Sequence, residues 1–242
     1  MHRKITGILG AVCLFVISFT GIAEAQSMST ELNTKQQSIV AISAYTANGD
    51  LDKLKPALVE GLEVGLTVNE IKEVLIQLYA YTGFPRSLNG IHTFMAVMDE
   101  RQSKGIKDTV GKEASPVPTD MNRDEYGAKV RAQLAAQSTI PPASGYQLFT
   151  PTIDTFLKEH LFADIFARDV LDFQSRELAT ISALAAMSGT AGQLQFHLGA
   201  SMNVGFTEGQ MKHFVTVIET KVGKQEGQSA ASVLEKVLAA RR

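Results

Sequence analysis

The sequence predicts an all-α protein built from two related helical units, and three observations carry that expectation. From Gln37 to Arg101 apolar residues recur at helical spacing while strand-like alternation is scarce. The run Gly65-Leu66-Thr67-Val68-Asn69-Glu70-Ile71-Lys72 returns as Gly205-Phe206-Thr207-Glu208-Gly209-Gln210-Met211-Lys212. In both copies a glycine that can end one helix precedes a threonine that can cap the next, with Glu or Gln three residues on.

Taken in order, Ile39, Ile42 and Ala44 suit the buried side of a first helix, and Leu51, Leu54, Leu58 and Leu62 that of a second. Gly65 stops the second helix. Thr67 and Glu70 form a T-x-x-E box for a third, whose Ile71, Val74, Leu75 and Leu78 share a face. Tyr81-Thr82-Gly83-Phe84-Pro85 breaks it, and a further helix is expected from about Arg86 to Arg101. Residues 103–119 are charged, carry glycine and end in Pro116-Val117-Pro118, which reads as an exposed linker. Another amphipathic helix is expected over Asp120 to Gln137, ended by Pro141-Pro142-Ala143-Ser144-Gly145. Helical spacing resumes after Pro151 with Phe156, Leu157, Leu161, Phe162 and Phe166, leading into the second copy. There Thr190 with Gln193, and Thr207 with Gln210, are both expected as T-x-x-Q capping boxes.

The N-terminus carries Arg3 and Lys4, an apolar run from Ile5 to Ile22, and Ala23-Glu24-Ala25. This reads as a secretory signal peptide cut before Gln26, placing the mature protein in the periplasm or outside the cell. The competing reading is a retained anchor, since the run nears the ~18 residues of a spanning helix. Glycines and Thr20 dilute it, and the cleavage signal follows directly. The expected organisation is therefore a signal peptide over 1–25, a first helical repeat over 26–102, a linker over 103–119, and a second repeat with lead-in helices over 120–242.

The single cysteine, Cys13, lies inside the apolar run, so the mature chain has none. Disulfides and thiol catalysis are thereby excluded. A net charge of −2 gives no electrostatic reason to expect nucleic acid or an anionic membrane surface as partner. The mature histidines, His92, His160, His197 and His213, have no metal-ligand spacing, and no glycine-rich phosphate loop follows a predicted strand. Neither a metal nor a cofactor is expected.

His197 is the foremost candidate for chemistry. Its neighbours one helical turn away, Gln193 and Ser201, are polar within a stretch lined by Leu194, Leu198 and Met202. Histidine side chains titrate near neutrality and can carry a proton there; the alternative is a buried histidine satisfied by hydrogen bonds. Glu177 opens the preceding helix, where a carboxylate also interacts favourably with the helix dipole. Tyr79, Tyr81, Arg86, Asn89 and His92 gather around the Gly-Phe-Pro break, and Arg86 could pair with a substrate carboxylate through its planar fork. The competing reading is a helix start with Arg86 solvated.

The run Leu161-Phe162-Ala163-Asp164-Ile165-Phe166-Ala167-Arg168-Asp169-Val170-Leu171, then Arg176-Glu177-Leu178-Ala179-Thr180-Ile181, His197 and Gly205-Phe206-Thr207, resembles the carboxymuconolactone decarboxylase family. The first copy supplies the rest of that pattern, from Glu70 to Leu75 and from Tyr81 to Asn89. The resemblance implies an all-α fold whose subunits join into rings, so that three two-copy chains would form a homotrimer resembling a hexamer. It also implies a site role for His197, whose place in the first copy is held by Ala57. In thiol-dependent relatives a glutamate near Glu177 relays to the histidine and two cysteines, one residue nearer in sequence than here. Thr190 and Gln193 stand where those relatives carry their C-x-x-C pair, so peroxidase chemistry of that kind is not expected.

The function so implied is cofactor-free decarboxylation or isomerisation of a small carboxylated lactone or acid. His197 and Glu177 would be catalytic, with Arg86, Gln193, Tyr81 and His92 binding substrate. The alternative is a periplasmic helical assembly that binds a small ligand without turning it over.

Overall fold

The computed structural model describes residues 29–242, and the expected signal peptide, with Cys13, lies outside the described residues. Helix α1, Thr34–Asn48, begins at a reciprocal capping box between Asn33 and Gln36 and ends at Gly49 (φ 80°). Helix α2, Leu51–Glu63, gives way to Gly65, whose φ of 93° is costly for any residue with a Cβ. Helix α3, Val68–Ser103, starts at the expected Thr67–Glu70 box and breaks at Gly83 (φ 75°, ψ 166°), two residues before Pro85. Beyond the break the chain doubles back. Gly90 lies so close to Leu75 and Thr46 that a Cβ there would come within 2.9 Å of Leu75, and Ser87 Oγ donates to the Leu75 carbonyl (2.8 Å).

Residues 103–119 form no helix after Ser103, but they are not free of the fold. Val68 and Asn69 donate their backbone N–H groups to the carbonyls of Thr109 and Val110 (3.0 and 2.9 Å). The Asn69 amide donates to the Gly111 and Lys112 carbonyls. The segment thus satisfies donors that the start of α3 cannot satisfy within the helix. Helix α4 follows over Arg123–Leu134, then the short α5, Tyr146–Phe149, and α6, Pro151–Thr155.

The lead-in to the second unit differs in type from the sequence expectation. Phe156–Ile165 is a π-helix rather than an α-helix. Its apolar residues Phe156, Leu161 and Phe166 stand five apart, as do Leu157 and Phe162, a spacing that suits the wider π turn. Helix α4 packs against it, and Gly127 is the point of closest approach. A Cβ there would fall 1.9 Å from the Lys158 carbonyl oxygen.

The second unit comprises α7, Phe173–Ala185; α8, Ala191–Asn203; α9, Glu208–Lys221; and α10, Lys224–Ala240. Thr207 and Gln210 form the expected box. Thr190 and Gln193 do not. The Thr190 hydroxyl turns back to the Leu184 and Met187 carbonyls (2.7 and 3.1 Å), occupied by the end of α7 instead of the start of α8, and Gln193 is exposed. Gly223, opposite Gly83 in the repeat, separates α9 from α10, so the four-helix plan α1, α2 and the two halves of α3 returns as α7 to α10 despite divergent sequence at the break.

The two units interlock. Helix α1 lies along α7, its counterpart, while α3 crosses α7 and α9 crosses α1. One continuous core results, with Ile42, Leu58 and Leu75 from the first unit packed with Leu178, Leu198 and Phe214 from the second. Burying each such side chain contributes roughly 1.5–3 kcal/mol. A smaller cluster of Val130, Leu134, Leu161, Phe162, Ile165 and Phe166 joins α4 to the π-helix. No helix among the described residues is long and apolar enough to cross a membrane.

Candidate functional site

From Arg176 to Ala185 every residue of α7 is buried, so the polar residues in that stretch must find partners inside the protein. Glu177 finds His197. Its Oε2 lies 2.7 Å from His197 Nδ1, with the glutamate side chain fully buried and the imidazole 8% exposed. A carboxylate can only accept, so Nδ1 carries the proton in this contact. The other ring nitrogen, Nε2, has no protein partner among the described residues and is not sealed from solvent. The ring is held edge-to-face between Tyr81 (centroids 5.5 Å) and the half-exposed Phe196 (5.0 Å).

Glu73, Gln77 and Tyr81 recur every four residues along α3 and present one polar stripe to α7. Gln77 joins the helices, accepting from Arg176 Nη1 (2.9 Å) and donating to the Thr180 hydroxyl (3.2 Å). Arg176 also donates to the Arg168 carbonyl (2.5 Å). Arg168 donates through Nε to both oxygens of Glu73 (2.6 and 3.1 Å), which is 1% exposed. Burial pulls the Arg176 guanidinium down to about 10, with the Glu73 carboxylate acting against that shift. Burial likewise pushes the Tyr81 phenol far up, and the Glu177 charge adds to the effect.

Tyr81 therefore reaches the Glu177–His197 pair from the first unit, within one chain. The other expected site residues lie elsewhere or make no contact with the pair. Arg86 is exposed and donates to the Ala47 carbonyl at the end of α1. His92 and Gln193 are exposed and form no side-chain hydrogen bond among the described residues. Sequence reasoning passed over Glu73, Gln77, Arg168, Arg176 and Thr180. The signal was the i, i+4 recurrence of Glu73, Gln77 and Tyr81 on α3 and of Arg176 and Thr180 on α7.

The equivalent crossing of α9 on α1 lacks this chemistry. Counting by the repeat, Ser38 stands for Glu177 and Ala57 for His197. One cleft, about 280 Å³, runs between the Ala186–Ala191 connection and α10. Another, about 560 Å³, lies among Gln133, Phe173, Asn203 and Gly205. Neither is lined by His197 or Glu177. Among the described residues no three His, Cys, Asp or Glu side chains converge as metal ligands would.

The model of the carboxymuconolactone decarboxylase family matches residues 18–93 and 151–236, once for each helical unit. The chain belongs to this family. The matches take in α7 and α8 with both members of the Glu177–His197 pair, and the part of α3 that carries Glu73, Gln77 and Tyr81. They leave out the tethered linker and α4. A search of the curated proteins finds no match. Family membership supports a carboxymuconolactone decarboxylase-like or alkylhydroperoxidase-like role.

Proposed function

We propose that the chain is an exported, cofactor-free enzyme that decarboxylates or isomerises a small carboxylated lactone or acid, with His197 as its proton carrier. The observation that carries this reading is the buried 2.7 Å contact between Glu177 and His197 Nδ1, which leaves Nε2 without a protein partner among the described residues. A fixed imidazole with one engaged and one available nitrogen is suited to general acid–base work.

In the reaction, the bond to the substrate carboxylate breaks as carbon dioxide leaves, and its electron pair passes toward the lactone carbonyl. The resulting enolate takes a proton from Nε2 of the imidazolium, which is replenished from water. Glu177 orients the ring and offsets its positive charge. The alkylhydroperoxidase-like alternative lacks its sulfur, since the only cysteine is Cys13. Assembly into a ring would bury the exposed stripe of Phe84, Leu88 and Met95 on the second half of α3.

Carbon dioxide release from 4-carboxymuconolactone by residues 26–242, measured beside His197→Gln, tests the reading. Release by the parent and its loss in the variant, with helix content unchanged, is the expected result; equal release from both removes His197 from the chemistry. A second reading, ligand binding without turnover, draws support from the clefts that lie away from His197. It requires that a bound ligand remain chemically unchanged and that its affinity survive His197→Gln.

A further inference from the structure

Among the described residues, four buried side-chain atoms have no hydrogen-bond partner, and three belong to the seam between α3 and α7: Tyr81 Oη, Arg176 Nε and Glu177 Oε1. An unmade bond at a buried polar atom costs roughly 1–3 kcal/mol, so such a concentration calls for an account. Tyr81 Oη is the one group there that can both donate and accept. Glu177 Oε1 can only accept while the carboxylate is ionised.

The two are neighbours. The Tyr81 ring stands edge-on to the His197 ring at 5.5 Å, and His197 is bonded to the other oxygen of the same carboxylate. The Thr180 hydroxyl beside the phenol already donates to the Arg176 carbonyl (3.0 Å) and accepts from Gln77, so it has no proton to offer the phenol oxygen and is the competing acceptor for the phenol's proton. Burial and the Glu177 charge both act to keep the phenol protonated, so its proton remains available to donate.

We propose that Tyr81 is a positioning residue for the Glu177–His197 pair. No direct bond joins the two atoms, so its hydroxyl donates to Glu177 Oε1 across one enclosed water and thereby fixes the carboxylate so that Oε2 holds the His197 proton on Nδ1. Two buried polar atoms that lack partners, Tyr81 Oη and Glu177 Oε1, are what a bridging buried water satisfies. The first helical unit then contributes a residue to the machinery of the second, and Nε2 is held as the nitrogen without a protein partner among the described residues. The functional meaning rests on His197 being the proton carrier, but the geometry does not, and its test needs no substrate.

The experiment is nitrogen-15 NMR of the full mature chain with ring-labelled histidine, which distinguishes the two neutral tautomers. The parent should show His197 as a single tautomer protonated at Nδ1. Glu177→Gln, whose amide can donate to Nδ1, should move the population toward Nε2 protonation and so prove that the signal reads the pair. Tyr81→Phe, which keeps the ring against His197 and removes only the hydroxyl, should yield a mixture, with the signals of His92 and His213 unmoved. A Tyr81→Phe spectrum identical to the parent's overturns the proposal, as does a parent protonated at Nε2. Should Tyr81→Phe fold poorly, the parent itself decides: a slowly exchanging Tyr81 hydroxyl proton close to the Glu177 methylenes supports the bond, and a freely exchanging one overturns it. Loss of decarboxylase activity alone would touch only the functional reading.

Discussion

Glu177 and His197 are twenty residues apart in the chain and meet at 2.7 Å because α7 and α8 pack side by side across a short connection. The contact is enclosed enough that neither partner can be deleted without consequence for the other. His197→Ala would leave Glu177 Oε2 without its partner in the core, a cost of about 3 kcal/mol by the rule for an orphaned buried charge. His197→Gln keeps an amide donor within reach. It should lose turnover with less than half the stability loss of His197→Ala, as read by urea unfolding of the two variants side by side.

The alkaline limb of the stability curve should report on Tyr81. Its phenol is raised above the ordinary value of 10 chiefly by burial, so the folded chain holds that proton when the unfolded chain has released it. Tyr81's contribution is therefore fully present below pH 10 and is lost as pH climbs beyond it. Arg176, drawn down to about 10, acts in the opposite sense over the same window, the folded state giving up its proton first. Comparing the parent with Tyr81→Phe isolates the tyrosine. The variant should lose less stability between pH 9 and 11, and parallel curves would place the phenol in contact with water.

Arg168 anchors Glu73, whose side chain is 1% exposed while that of Arg168 is 36% exposed. Arg168→Met strands the carboxylate at the α3–α7 seam. Because water reaches the arginine, the expected loss is nearer to 2 kcal/mol than to the larger penalty of a fully enclosed pair. Arg168→Met combined with Glu73→Gln should recover part of that loss, and a double-mutant cycle in urea measures how much.

Gly127 has no room for a side chain. With the Lys158 carbonyl oxygen 1.9 Å from the position of a Cβ, Gly127→Ala must push α4 off the π-helix. Overpacking of this kind costs about 1–3 kcal/mol, although alanine favours a helix intrinsically by about 1 kcal/mol over glycine. Thermal unfolding should show a lower midpoint for Gly127→Ala, whereas the exposed Gly192→Ala, whose Cβ meets nothing within 4 Å, should not lower it.

Local chemistry was legible in the sequence where it is satisfied locally. The Thr67–Glu70 and Thr207–Gln210 boxes, the stop at Gly65 and the break at Gly83 all depend on residues within a turn of one another. Thr190 has the same spacing to Gln193, but the carbonyls of Leu184 and Met187 compete for its hydroxyl and win. Glu177 and His197 could be singled out, being polar residues on apolar helices. Their polar surroundings could not, because Gln77 and Arg176 are 99 residues apart and a stripe of Glu73, Gln77 and Tyr81 reads equally well as a solvated face. Only the crossing of α3 over α7 turns that stripe inward.

That crossing bears on how the molecule could have specialised. Two identical units exchanging their third helices would create a pair of equal junctions, and any change of residue would strike both at once. Covalent fusion removes that coupling. With Ser38 and Ala57 at one junction and Glu177 and His197 at the other, one half is free to supply rigidity and a tyrosine while the other keeps the ionisable groups. The fused chain therefore holds one Glu177–His197 contact per pair of units, and neither half alone contains that contact together with Tyr81.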